Sequence, residues 1–186
     1  YHEMLHVIAG LPGQPNTYVA AFQSLPVEFT GHFAAAAGRH ARIKTVALDG
    51  SQRLEPGCCY VASVESQVSF HKDDHAYIMS PTGASYSRAG QTKNLDDFIA
   101  SAVANFAGCV HVAFLSGAGG MAAGSLAAIQ KTDGTIIVQE PASCMMPGFL
   151  EALVSRGIAD RTALPENLAR EVVALVSNQH KGSHES

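Results

Sequence analysis

Short apolar runs that do not alternate with polar residues recur along the chain, separated by stretches with helical spacing. Cys109–Leu115 reads as a buried strand running into the glycine-rich Ser116–Gly120, then a helix over 122–131. Strands are expected at Ile43–Leu48, Cys59–Ser63, 135–139 and near Arg161–Leu164, with helices over 148–156 and 166–176. Gln67–Phe70 and His75–Met79 read as a strand pair joined through Lys72–Asp73–Asp74, and Ser80–Lys93 reads as a loop. Asn94, with Asp97 three residues on, predicts a capped helix that carries Phe98, Ile99, Ala102, Val103 and Phe106 and stops at Gly108.

At the amino end, Met4–Gly10 reads as a strand that ends in a Gly-Leu-Pro-Gly turn. Asn16 is expected to cap a helix through Gln23, and Thr30 a second one ending near Gly38. Apolar strands separated by helices predict an α/β fold: a doubly wound, mostly parallel sheet with helices on both faces and a β-hairpin insertion. Residues 1–176 form the expected single domain, and the polar tail 177–186 is expected to be disordered.

Composition changes this picture little. The 186 residues are 47% hydrophobic and 15% charged, enough for one sizeable core. A net charge of −4 gives no broad attraction for nucleic acid or anionic lipid. No apolar run approaches the roughly 18–20 residues of a membrane span, and no secretory leader opens the chain. The start at Tyr1 suggests a domain from a longer protein. Cys58, Cys59, Cys109 and Cys144 have no CxxC or Cys/His spacing for zinc, and reduced thiols in a cytoplasmic protein are expected. No metal or cofactor is expected.

In parallel α/β sheets ligands bind beyond the carboxyl ends of the strands. Gly10–Gln14 and Ser116–Gly120 are placed there, and either turn can present backbone N–H groups to an anion. Neither carries the Gly-Lys-Ser/Thr of a phosphate-binding loop.

Leu54–Glu55–Pro56–Gly57, Cys109–Met121 and Asp133–Gly148 resemble segments of the catalytic domain of the chemotaxis protein-glutamate methylesterases, the CheB family. The likeness is good over about 43–176 and weak over 1–42. It implies a Ser/His/Asp triad on an α/β scaffold. The family's serine lies in a Ser-Thr-Gly-Gly turn after the first strand; Val7–Pro15 aligns there and puts Leu11 in the nucleophile position and Pro12 after it. Phe29–Thr30 matches the Phe-Thr that follows the family's histidine, which puts Ser24 in the histidine position. Leu115–Met121 matches the turn before the aspartate and puts Met121 there. Gly90–Gln91–Thr92–Lys93 replaces the family's Gly-His-Arg-Pro.

A hydrocarbon, an alcohol and a thioether cannot relay a proton, so hydrolysis by this mechanism is expected to be negligible. The resemblance then implies a binding or regulatory module whose partners are chemoreceptor cytoplasmic helices, proteins of the chemosensory kinase complex, or other domains of the same chain. The alternatives are an active methylesterase or deamidase that uses Ser116, Ser24 or His32, and a small-anion binder at Ser116–Gly120.

Overall fold

A computed structural model describes residues 2–13, 16–121 and 123–182. The chain opens with a helix, α1 (His2–Gly10), not the expected strand. Met4, Val7, Ile8 and Leu11 recur at i, i+3, i+4 and i+7, which puts them on one helical face, and Val7, Ile8 and Leu11 are buried. The expected helix after Asn16 is instead β1 (Tyr18–Gln23). Asn16 has φ 71°, a left-handed turn conformation, whereas a helix N-cap is extended. Helix and strand thus exchange places over the first 23 residues.

Next come α2 (Thr30–Gly38), β2 (Lys44–Ala47), β3 (Gln52–Arg53), β4 (Cys58–Ser63), β5 (Ser66–Asp73) and β6 (Ala76–Ala84). β5 and β6 form the expected hairpin, turned through Asp74 at φ 45°, and β3 adds to its other edge. β6 takes in residues 80–84 of the expected 80–93 loop and α3 (Arg88–Asn105) takes in 88–93, so only 85–87 stay a loop. Ser87 caps α3, its Oγ accepting from Gly90 N–H at 3.1 Å. Asn94 is not the cap. It is buried inside the helix, where its amide donates to the carbonyls of Val64 (3.2 Å) and Glu65 (2.9 Å), tying α3 to the turn between β4 and β5.

β7 (Val112–Phe114), α4 (Ala123–Lys131), β8 (Ile136–Gln139), α5 (Gly148–Ser155) and β9 (Arg161–Ala163) follow the expected order. α6 (Pro165–Gly182) continues past the expected end at 176, and residues 183–186 of the expected tail lie outside the described ones.

Six strands run parallel, in two groups of order β1-β4-β2 and β7-β8-β9; β3-β6-β5 is the antiparallel insertion. β4 and β8 are buried along their whole length, as strands covered on both faces must be. Ile136, Ile137 and Val138 are fully buried, each contributing about 1.5–3 kcal/mol of apolar transfer. The helices join the two groups: α3 packs on α4 over one face, and α1 on α6 over the other. Between the groups β1 and β7 turn unpaired edges toward each other, and no described strand pairs with either edge.

Candidate functional site

The carboxyl ends of β1, β7 and β8 converge on one level. β1 ends in Gln23 and leads to Ser24, which is exposed. β7 leads through Leu115 and Ser116 into the glycine turn, where Gly117 (φ 89°) and Gly120 (φ 133°) adopt conformations that side chains with a Cβ avoid. Ala118 N–H closes the turn on Leu115 O at 3.1 Å.

Gln139, at the end of β8, holds this turn in place. Its side chain is fully buried; Oε1 accepts from Ser116 N–H at 2.9 Å, and Nε2 donates to Ser143 Oγ at 3.1 Å. Ser143 Oγ in turn donates to Glu140 O at 2.7 Å. A buried amide that left any of these groups unpaired would cost free energy, so the network fixes the turn's register against β8. The signal in the sequence is one polar residue closing the apolar run Ile136–Val138.

A cavity of about 930 Å³ lies below this level, between β1 and β7. One wall is the consecutive residues 18–24, the other 108–121. Val7, Ile8 and Val172 from α1 and α6 close one face, and Phe98, Ile99 and Ala102 from α3 the other. Arg88, at the start of α3, stands at the mouth; a Cβ on Gly119 would lie 3.8 Å from its Nε. Tyr86, 74% exposed, and Met146, 57% exposed, are also on the rim, and Met145, which precedes Met146, is 96% exposed.

The structure brings Ser24, Ser116 and Met121 to this cavity and leaves His32 out of it. His32 is exposed on α2, its ring centroid 6.4 Å from that of Phe29. Met121 packs as a hydrophobe against the larger core cluster. Leu11 does line the cavity, but it is buried at the end of a helix and follows no strand. The strand-to-helix turn expected at Val7–Pro15 is therefore absent there among the described residues; Gln14 and Pro15 lie outside them.

Among the described residues His111 is the cavity's one histidine and Glu3 its one carboxylate. His111 precedes β7, at the end opposite Ser24 and Met121; its Nδ1 accepts from Thr135 N–H at 3.1 Å. Burial first, then the charge of Arg161, pushes its pKa down. Cys58 and Cys59 are buried in β4, and burial pushes the Cys59 thiol up to about 12, which makes it inert. No cluster of three His, Cys, Asp or Glu among the described residues suits a metal ion. No described helix is long and apolar enough to cross a membrane.

The parallel, doubly wound topology with a functional level at the carboxyl strand ends defines the class. The family model for CheB methylesterase matches residues 2–172, and the chain belongs to that family. The protein-glutamate methylesterase/protein-glutamine glutaminase 3 of Vibrio cholerae is 28% identical over 188 residues, covering 96% of this chain and 51% of that protein. The corresponding Moorella thermoacetica protein is 24% identical over 171 residues, covering 92% and 40%. The chain thus spans about half, or less, of the length of these curated relatives. The crystal structure of the Thermotoga maritima CheB methylesterase catalytic domain aligns with a TM-score of 0.80 at 15% identity, over 94% of this chain and 92% of that one. That likeness speaks for the fold.

Proposed function

We propose that this chain is a CheB-type domain of a chemosensory pathway that works in the cytoplasm by binding and not by hydrolysis. The carrying observation is that Ser24 and Met121, at the carboxyl ends of β1 and just beyond β7, stand where the family resemblance expects histidine and aspartate. A serine hydroxyl is not basic near neutral pH, and a thioether neither orients an imidazole nor carries charge. Among the described residues that line the cavity, Glu3, at the start of α1, is the one carboxylate, and the one imidazole, His111, lies at the opposite end. The expected partners are chemoreceptor cytoplasmic helices or proteins of the chemosensory kinase complex.

The rim supports a binding role. Tyr86, Met145 and Met146 expose large apolar surface beside the cavity mouth. Flexible, exposed methionines suit the apolar face of an amphipathic helix.

Two measurements test the reading. Methanol release from methylated chemoreceptor is expected to stay at background at high protein concentration; release abolished by Ser116→Ala would overturn the inactive reading. Binding to chemoreceptor cytoplasmic fragments or kinase-complex proteins is expected at micromolar concentrations and is expected to weaken in Met145→Glu/Met146→Glu. Failure to bind any of them would remove the proposed role.

A further inference from the structure

Within α1, His2–Glu3–Met4–Leu5–His6 places histidines at i and i+4 with a glutamate after the first. In an α-helix that spacing puts both side chains on one face, about 5–6 Å apart at Cβ. Both residues are exposed, and their ring centroids are 4.2 Å apart at an interplanar angle of 54°. That is closer than the usual ~4.5–7 Å of paired rings. Among the described residues neither ring makes a hydrogen bond. A neutral imidazole keeps one nitrogen lone pair, so two acceptors stand side by side on the solvent face of the helix.

The helix that carries them is firmly seated. Val7, Ile8 and Leu11 are buried, and α1 packs on α6. Gly10 lies so close to α6 that a Cβ there would stand 2.5 Å from the Cβ of Ala169. Ligands on a packed helix keep their mutual geometry, which ligands on a loop do not. Two imidazole nitrogens bound to one zinc ion at ~2.0–2.1 Å in tetrahedral geometry lie about 3.3 Å apart. Rings already in contact across one helical turn reach that separation by rotation about their own side-chain torsions.

We propose that His2 and His6 hold one divalent transition-metal ion, with both protein ligands from a single chain. Imidazole suits zinc, copper and nickel, whereas Mg2+ and Ca2+ take oxygen ligands. The H-E-x-x-H pattern on a helix presents two zinc-binding histidines on one face. Hydrolytic zinc sites add a third protein ligand, and among the described residues no group of three His, Cys, Asp or Glu forms one. Water fills the remaining positions, and the assignment is to ion binding. Glu3 lines the cavity, so the ion sits on the same turn of α1 that forms the cavity wall, on its solvent side.

Isothermal titration of the 186-residue chain with Zn2+ tests the proposal. One ion per chain is expected, with no competition from millimolar Mg2+. Chelation by two linked groups far exceeds binding by either alone, so His2→Ala and His6→Ala are each expected to weaken the affinity by on the order of tenfold or more. Alanine favours the helix, so both variants keep α1, which circular dichroism checks. His32→Ala, an exposed histidine on α2, is expected to bind as the parent does. Zn2+ is expected to raise the Tm of the parent and to leave that of the His2→Ala/His6→Ala protein unchanged, because the pair forms only in the folded helix. Affinity retained in either single variant would overturn the proposal, as would binding weaker than millimolar in the parent. One ion per two chains, with doubled mass in light scattering, would also overturn it, because two copies would then share the ion.

Discussion

Replacing Gln139 by leucine removes the group that joins β8 to the glycine turn and keeps the side-chain volume nearly constant. Ser116 N–H loses its acceptor at 2.9 Å in a half-buried position, at a cost of about 1–3 kcal/mol. Ser143 Oγ loses one donor but keeps its bond to Glu140 O, at about 0.5–1.5 kcal/mol. Leucine regains part of this through apolar burial, so the net destabilisation is about 2–3 kcal/mol. For a chain of this length that lowers Tm by roughly 4–12 °C.

Urea denaturation followed by far-UV circular dichroism measures the loss, and hydrogen exchange locates it. Amides 116–121 are expected to exchange faster in Gln139→Leu, and those of β4 to be unaffected. Ser143→Ala alone is expected to cost about 1 kcal/mol, and the double variant less than the sum, because the two residues share a bond. A Gln139→Leu protein within about 0.5 kcal/mol of the parent, with the turn's exchange unchanged, would refute the claim that this amide sets the turn.

Gly134→Ala probes the entry to β8: its Cβ would lie 2.2 Å from Val110 O and 2.6 Å from Ile129 O, both backbone atoms, so a loss of about 3 kcal/mol or more in urea denaturation is expected. The pKa of His111 is lowered on folding, so the unfolded chain binds its proton more readily; the stabilisation is complete above the unfolded value of about 6.5 and is lost as pH falls below it. Tm is therefore expected to drop between pH 7.5 and 5.5, and His111→Gln to flatten that dependence; parallel profiles for the two proteins would exclude His111 as the source.

Most of the carboxyl-terminal two-thirds was legible because its strands are short apolar runs that only a doubly covered sheet can bury. The strands read at 135–139 and Cys59–Ser63 needed no tertiary information. The errors share a cause: local signals that read equally well two ways. Met4, Val7, Ile8 and Leu11 fit a helical face, yet the same stretch is a compact apolar run ending in Gly-Leu-Pro-Gly. Asn94 looks like a cap beside Asp97, but its two bonds to Val64 and Glu65 come from residues about thirty positions away, which no local rule detects. Ser24 and Met121 were singled out by resemblance, and both line the cavity. Their meeting at one cavity depended on the sheet order.

The observed elements change what the expected loss of catalysis rests on. With Val7–Pro15 read as the first strand and its turn, Leu11 replaced the nucleophile, and loss of catalysis followed from three positions. Residues 2–10 are a helix, so Leu11 says nothing about the nucleophile, and the argument rests on Ser24 and Met121. A hydroxyl placed beside these two residues would face an alcohol and a thioether and would stay protonated near neutral pH, because neither neighbour accepts a proton. Background methanol release from methylated chemoreceptor, unchanged by Ser116→Ala, is therefore the outcome this reading requires.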